Sequence, residues 1–161
     1  MNAMDIALPL IARFEGFRGA AYQDEAGVWT IGYGTTWWTM RGRKVFKGDT
    51  ITEEKAMDLL RARVEADMLK VAELAQGSTA HERAAMTSLA YNIGMGAFEK
   101  SSVLRNHRMH NRQAAAQAFK LWRKIRVNGV LRDSKGLLRR REEEAKVYLT
   151  PDDRPWPSNG V

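Results

Sequence analysis

The spacing of apolar residues predicts a helix at the start of the chain and strands soon after it. Residues 5–15 carry an apolar face at helical spacing, with Asp5 as the N-cap and Gly16 as the stop signal. Because proline is tolerated only near a first helical turn, Pro9 predicts an effective start at that residue. Residues 20–35 and 37–46 are rich in β-branched and aromatic residues and predict short strands joined by turns.

Helical spacing takes over in the rest of the chain. Residues 52–77 follow one long apolar stripe that begins at a threonine cap and stops at a glycine. Thr79 and Glu82 form a capping box that opens the next helix, and Gly94-Met95-Gly96 predicts a flexible break after it. Further helix starts are predicted at Ser101 or Ser102, Asn111, and Asp133 or Ser134, and a hairpin turn at residues 127–130.

These elements predict an α+β protein with a single domain over residues 1–149. Its parts are a small β-containing N-terminal lobe (1–51), a connecting helix (52–77) and a helical C-terminal lobe (78–149). A Pro-rich tail (150–161) follows. A ligand is expected in a cleft between the lobes.

Charge is unevenly distributed along the 161 residues, whose net charge is +7. Residues 1–80 contain 10 basic and 11 acidic side chains, whereas residues 81–161 contain 16 and 8. The second half is therefore expected to attract a polyanion such as nucleic acid, anionic lipid or a bacterial envelope.

Composition also bounds the chemistry and the compartment. The chain has no cysteine and its three histidines are scattered, so we expect no disulfide, metal or other cofactor. No stretch approaches the roughly 20 apolar residues of a membrane span. Asp5 lies where a signal peptide would be basic, and Arg13 interrupts the apolar run that a signal peptide needs. Synthesis as a soluble cytoplasmic protein is therefore expected.

Three polar side chains near the N-terminus suit acid/base chemistry. Glu15 ends the first helix, Asp24 precedes an Ala-Gly turn, and Thr30 lies in the strand that follows. Two carboxylates and a hydroxyl held in this way suit attack on a glycosidic bond. Spacing alone favours the plainer alternative, a β-hairpin with ordinary surface acids.

Three motifs then extend the pattern along the chain. They are Glu15-x8-Asp24-x5-Thr30, Asn92-x-Gly94-x-Gly96-x-Phe98-x-x-Ser101-x-x-Leu104, and Gly136-Leu137-x-x-Arg140-Arg141-x-x-Glu144. Together they cover about residues 5–149, and in this order they resemble the phage-type lysozymes, the endolysins of glycoside hydrolase family 24. The resemblance implies a lysozyme-like α+β fold. It also implies hydrolysis of the β-1,4 bond between N-acetylmuramic acid and N-acetylglucosamine in peptidoglycan, for host cell lysis.

The resemblance implies separate catalytic roles. Glu15 would be the general acid, Asp24 the carboxylate that supports the sugar cation and activates water, and Thr30 the holder of that water. Family 24 enzymes are understood to invert, which requires carboxyl groups about 6.5–9.5 Å apart. A protonated acid needs apolar surroundings, which Phe14 and Phe17 are expected to supply.

Substrate-binding residues are implied as well. The Asn92 amide would reach the sugar with Tyr91 beside it, whereas the alternative is a cap on the helix before Gly94. One of Arg140 and Arg141 would lie near the acid or the peptide carboxylates of the substrate, whereas the alternative is a basic surface turn.

The residues that follow the predicted catalytic strand supply expected substrate contacts and one difference from the family pattern. Tyr33 and Gly34 are expected at the substrate. Thr35 stands where relatives often carry a histidine, which affects the charge pairing of that position but not the proposed acid. Tyr33, Trp29, Trp37 and Trp38 could stack on sugar faces, although aromatics beside a small sheet more often form core.

The implied partners are peptidoglycan glycan strands and a separate holin-like membrane protein for release. We expect a monomer in the host bacterial cytoplasm that acts on the wall after membrane permeabilisation. The basic C-terminal lobe is expected to bind the anionic envelope, and no nucleic acid is expected.

Two alternative functions remain at this stage. A lytic transglycosylase uses one carboxylate and forms an anhydro ring, and residues at the water-handling positions argue against it. A basic binding protein is suggested by the helix predicted over residues 135–146, where three glutamates offset three arginines on what would be a solvated face.

Overall fold

A computed structural model describes residues 1–153 of the chain. They divide into two compact units, one formed by Leu8–Val64 and the other by Met1–Ala7 together with the residues from Glu65 onward. Helices and small antiparallel sheets occur together, which confirms the predicted α+β class. The division at residues 51, 77 and 149 stays a prediction, and the predicted tail lies outside the described residues from position 154.

The first helix, α1 (Ala3–Glu15), starts earlier than the sequence predicts. Asn2 Oδ1 accepts from the Asp5 N–H, and Asp5 Oδ2 accepts from the Asn2 N–H, both at 3.0 Å. This reciprocal pair makes Asn2 the cap, so the assignment of Asp5 as N-cap is wrong. The predicted start of the helix at Pro9 is also wrong. Pro9 has no N–H to donate, but because Pro9 is exposed, water can hydrogen-bond to the helix carbonyl that lacks this donor.

Two small antiparallel sheets follow within the unit formed by Leu8–Val64. Strand β1 (Arg18–Gln23) pairs with β2 (Trp29–Gly32), and β3 (Trp37–Trp38) pairs with β4 (Arg43–Lys44). The predicted strands and turns are therefore confirmed. Their core contains Ile31, Trp38 and Val45, with Ala21, Trp29, Ile51 and Leu59 packed against it.

An ion pair fastens the second sheet to the loop that follows it. Arg43 donates to both carboxylate oxygens of Asp49 at 2.8 Å, and the Phe46 N–H adds a third bond. These donors, Arg43 first, lower the pKa of Asp49 to about 2. Asp49 therefore stays ionised and keeps this loop in place down to strongly acidic pH.

Helix α2 (Glu53–Leu74) is the long helix that the stripe predicts. Thr52 Oγ1 accepts from the Lys55 N–H, and Gly77 has a φ of +76°, as expected of a cap and a stop. Strand β2 packs closely on this helix, because a Cβ at Gly32 would lie 3.0 Å from the Ala56 Cβ. The residue before Tyr33 must therefore be glycine.

The remaining helices have the caps that the sequence predicts. Helix α3 (Ala80–Ile93) opens with the Thr79–Glu82 capping box. The expected break occurs at Gly94, which ends α3, but its extension over Met95 and Gly96 is wrong, because both residues lie in a short helix, α4 (Met95–Glu99). Ser101, Asn111 and Ser134 accept from backbone N–H groups at the starts of α5 (Ser102–Arg108), α6 (Arg112–Phe119) and α7 (Lys135–Leu149).

Residues 124–133 form the predicted hairpin. Strand β5 (Lys124–Val127) pairs with β6 (Val130–Asp133) through a two-residue turn. Asn128 and Gly129 have φ values of +50° and +79°, which a type I′ turn requires. Within residues 1–153, no helix combines the length and apolar character needed to cross a membrane.

The segment after α7 is tied back to the start of α3. Asp152 accepts from the backbone N–H groups of Ala80 and His81 and lies 2.9 Å from His81 Nδ1. The His81 contact is the main reason that the pKa of Asp152 is lowered. Although Asp152 lies 72 residues after Ala80 in sequence, it completes the cap of α3.

Candidate active site

Glu15 lies at the C-terminal end of α1, where the backbone conformation of the next residue ends the helix. Gly16 has a φ of +69° and donates to the Ala12 carbonyl at 3.0 Å, so it closes the helix directly after Glu15. The Glu15 side chain is half-buried. Its Oε2 lies 3.4 Å from where a Cβ of Gly34 would stand, so the absence of a side chain at Gly34 makes room for the carboxylate.

Phe14 and Phe17 each contact another side chain of the same unit, and that they surround Glu15 stays a prediction. The Phe17 ring lies 5.6 Å from the Tyr33 ring, and the Arg13 guanidinium lies 5.1 Å above the Phe14 ring. Tyr33 is buried and donates from its hydroxyl to Glu53 Oε1 at 3.1 Å. Burial, and then Glu53, raise the pKa of Tyr33, so this hydroxyl stays protonated and holds the ring in place.

Asp24 is exposed on the turn between β1 and β2, and backbone donors fix its carboxylate. Oδ1 accepts from the N–H groups of Ala26 and Val28, both at 2.9 Å. The Asp24 N–H in turn donates to the Val28 carbonyl at 3.0 Å. The backbone of the turn therefore orients a water-accessible carboxylate.

Thr30 is linked to the same turn through Val28. Its side chain is buried, and its hydroxyl donates to the Val28 carbonyl at 2.9 Å. Because the hydroxyl proton is used in this bond, the remaining capacity of Oγ1 is that of an acceptor. Asp24 and Thr30 are thus positioned by one backbone segment, and the sequence did not single out Val28 as the link.

The aromatic residues near this hairpin separate into core and surface. Trp38 is buried in the core and Trp29 packs against it, whereas Trp37 is 51% exposed. Trp37 also lines an open cavity of about 350 Å³ together with Thr35 and Arg63. Of the three tryptophans, Trp37 alone therefore presents a broad ring surface to solvent.

A buried charge network occupies the facing sides of α3 and α7. The Glu144 carboxylate accepts from Arg141 at 2.6 Å, from the Ser88 hydroxyl at 2.7 Å and from Arg140 Nε at 3.1 Å. Arg141, Glu144 and Ser88 are 0% exposed and Arg140 is 5% exposed. The alternative of a basic surface turn is therefore wrong, and so is that of a fully solvated face on α7.

Asn92 lies at the edge of this network. Its Oδ1 accepts from the Arg141 guanidinium, whose Nε also donates to the Trp122 carbonyl at 2.9 Å. Asn92 is exposed, whereas Tyr91 is buried. Gly94 supplies the helix end, so the Asn92 amide is held by a buried arginine and is not the cap.

Comparison with known proteins gives a consistent result. The family model described as phage lysozyme matches residues 12–144. The endolysin of Acyrthosiphon pisum secondary endosymbiont phage 1 is 35% identical, over 92% of this chain and 98% of that protein. The solved endolysin from Escherichia coli O157:H7 phage FAHEc1 is 37% identical, covers 96% of both chains and has a TM-score of 0.87. The solved muramidase domain of SpmX from Asticaccaulis excentricus is 35% identical, covers 90% of this chain and 95% of that one, and has a TM-score of 0.80.

The lysozyme-like α+β fold, together with the family model and the endolysin relatives, defines a glycoside hydrolase that acts on peptidoglycan. The chain belongs to the phage lysozyme family. Its activity is that of a muramidase used in host cell lysis. The predicted family, fold class and enzyme class are therefore confirmed.

Proposed function

We propose that Glu15 is the general acid of this muramidase and that Asp24 and Thr30 deliver the attacking water. The orientation of Asp24 by backbone donors is the observation that carries the proposal, because it fixes a carboxyl group where solvent can reach it. Glu15 protonates the leaving oxygen while the bond from that oxygen to the anomeric carbon breaks. The water oxygen bonds to that carbon, and the released proton passes to Asp24.

The hydrogen bond of Thr30 determines how the water is held. Oγ1 donates to the Val28 carbonyl, so it can accept a hydrogen bond from one O–H of the water. The Asp24 carboxylate accepts a hydrogen bond from the other O–H. A lone pair of the water is then directed at the sugar, and attack opposite the leaving group inverts the anomeric centre.

Clearing of purified peptidoglycan by Glu15→Gln tests the acid. General acid/base groups contribute about 10²–10⁴-fold, so we expect a loss of that size in Glu15→Gln and in Asp24→Asn. The exposed neighbour Glu25 supplies a matched control, since Glu25→Gln should clear at the wild-type rate. An undiminished rate in Glu15→Gln would remove the mechanism.

Substitutions at Thr30 test the water separately. Thr30→Ser keeps the hydroxyl and should retain most of kcat, whereas Thr30→Val keeps the shape and should lose at least tenfold. Equal activities of the two variants would contradict the proposed role. NMR of the first-formed reducing end should show inverted configuration, and a retained anomer would exclude water delivery by Asp24.

A lytic transglycosylase is the second candidate. It needs no bound water, whereas Asp24 and Thr30 share one segment that suits water delivery. Mass spectra of digested peptidoglycan distinguish the two reactions. Anhydromuramyl products without reducing ends would overturn the hydrolase mechanism.

Contacts of the substrate with residues of α3, supported by α7, also form part of the proposal. Asn92 is exposed and its oxygen is engaged by Arg141, so its amide nitrogen is oriented to donate to a sugar acetamido carbonyl. Tyr91 supports this contact from the core, and Arg140 and Arg141 act through the network. Asn92→Ala should raise KM several-fold, and an unchanged KM would remove Asn92 from the substrate.

The partners implied by the family are proposed here as well. The enzyme is expected to act as a monomer made in the host cytoplasm and to need a holin-like membrane protein to reach the wall. Cells that produce the enzyme should lyse only when that partner is co-expressed, and lysis without it would contradict this route. Turbidity clearing should slow with added salt if basic residues bind the anionic envelope.

A further inference from the structure

The β5–β6 hairpin carries apolar side chains that the fold does not cover. All eight strand residues are exposed, and their sheet has two strands. Ile125 and Val127 are 38% and 39% exposed, and Val130 and Leu131 are both 55% exposed. A two-stranded hairpin gains little stability from exposed apolar side chains, so their clustering indicates a binding surface.

The strand register brings apolar and basic side chains together at one end of the hairpin. Val127 pairs with Val130 beside the turn, and Ile125 pairs with Arg132 on the same face. On the opposite face Arg126 pairs with Leu131. An aliphatic tip is therefore surrounded by guanidinium groups.

Charge around the tip is strongly one-sided. Residues 121–135 include five basic side chains and a single acid, Asp133. That carboxylate lies 3.3 Å from Lys124 Nζ and 3.5 Å from Arg123 Nε, at the end away from the turn. The charged residues nearest the turn are thus Arg126 and Arg132, and Asn128 and Gly129 at the turn are uncharged.

The base of the hairpin is held by the rest of the unit. The Ser134 N–H donates to the Arg123 carbonyl at 2.7 Å, and the Trp122 carbonyl accepts from buried Arg141. The exposed tip is thus presented from a fixed base. Such a support preserves the arrangement of its side chains without a ligand.

We propose that the tip of the β5–β6 hairpin docks on a bilayer surface rich in anionic phospholipid. The aliphatic side chains enter the headgroup region while Arg126 and Arg132 pair with lipid phosphates. Glycan strands or nucleic acid would attract the same cations but would leave four aliphatic side chains in water. This inference goes beyond the proposed muramidase function and does not depend on it.

A single label measures docking directly. The chain has no cysteine, so Val130→Cys can carry one environment-sensitive fluorophore, and Leu69→Cys on α2 places the same label at another exposed site. Phosphatidylglycerol vesicles should shift the emission of the label at position 130 to the blue and leave the label at position 69 unchanged. Pure phosphatidylcholine vesicles should have little effect on either. No shift at position 130, or equal shifts at both, would overturn the proposal.

Vesicle binding by unlabelled variants separates the two components. Arg126→Gln with Arg132→Gln should weaken binding by about 25-fold, since each basic side chain at an anionic surface contributes roughly fivefold. Val130→Thr with Leu131→Thr keeps strand-forming residues and should weaken it at least tenfold. The control, Leu69→Gln with Lys70→Gln, should change binding less than twofold.

The same proteins distinguish lipid from the other polyanions. Variants that bind vesicles normally but lose binding to peptidoglycan sacculi or to DNA would assign the hairpin to those partners and overturn the proposal. Circular dichroism confirms that each variant is folded. If a double variant fails to fold, the two labelled proteins still decide the outcome, because their hairpins keep every basic residue.

Discussion

Substitution of Glu144 by glutamine removes the carboxylate that Arg140 and Arg141 share inside the helical unit. Glutamine has nearly the same shape, but its amide oxygen cannot replace both carboxylate oxygens, and its NH2 group would face a donor. The two guanidinium groups are almost completely buried, so water cannot compensate for the lost charge. We therefore expect a large loss of stability without a large change in shape.

The magnitude follows from the contacts of Glu144. Three hydrogen bonds of 2.6–3.1 Å end on its two oxygens, and two of them come from cations. Removal of one partner from a buried ion pair typically costs about 3–5 kcal/mol. For a chain of this size each kcal/mol corresponds to about 2–4 °C, so Tm should fall by roughly 6–20 °C.

Urea unfolding at neutral pH, followed by circular dichroism, measures this loss. Glu142→Gln is the matched control on the same helix, and because Glu142 is exposed it should change the free energy of unfolding by no more than about 0.5 kcal/mol. A loss below about 1 kcal/mol in Glu144→Gln would refute the idea that its charge holds α3 and α7 together.

Three further changes have defined outcomes. Gly34→Ala should lower kcat on peptidoglycan at least tenfold, because a φ of +84° strains any side chain and the backbone shift that relieves it would move the contact with Glu15 Oε2; an unchanged kcat would contradict this. Asp152→Ala should cost about 1 kcal/mol of unfolding free energy at pH 7, whereas Asp153→Ala should cost nothing measurable. Because the pKa of Asp152 is lowered, the difference should be fully present above about pH 4 and disappear as the pH falls further. Burial lowers the pKa of His107, so the free energy of unfolding should decrease as the pH falls below about 6.5. If His107→Gln showed the same pH dependence, His107 would be excluded as its cause.

Local chemistry explains why much of the fold can be predicted from the sequence. The Thr79–Glu82 capping box and the turn at Asn128-Gly129 depend on residues within a few positions of each other, and both form as predicted. Glu15 followed by Gly16 likewise predicts a helix end. The candidate site lies mostly within such short segments, so the sequence predicts the elements that carry it, whereas the roles of its residues come from the family resemblance.

The error at the two arginines of α7 arises because a long-range contact overrides a local signal. Arg140 and Arg141 have the composition of a solvated helix face, yet Ser88 and Glu144 meet them in the interior. The available signal was that Glu144 follows them by four and three residues, which places a carboxylate on their side of α7. The partner on α3 lies more than fifty residues away, and nothing local predicts it.

The shared backbone of Asp24 and Thr30 has a consequence for protein engineering. The turn at residues 24–28 is exposed and resembles a site for inserting a peptide tag or a cargo sequence. Any residue added between Asp24 and Val28, however, would disrupt the bond from the Val28 N–H to Asp24. Thr30 would keep its bond to the Val28 carbonyl, but the proposed water contacts of Asp24 and Thr30 would no longer be aligned with each other. We therefore expect this loop to tolerate changes of composition but not of length. Fusions are better placed at Gly42 or Gly48, where the backbone is exposed and neither bond is touched.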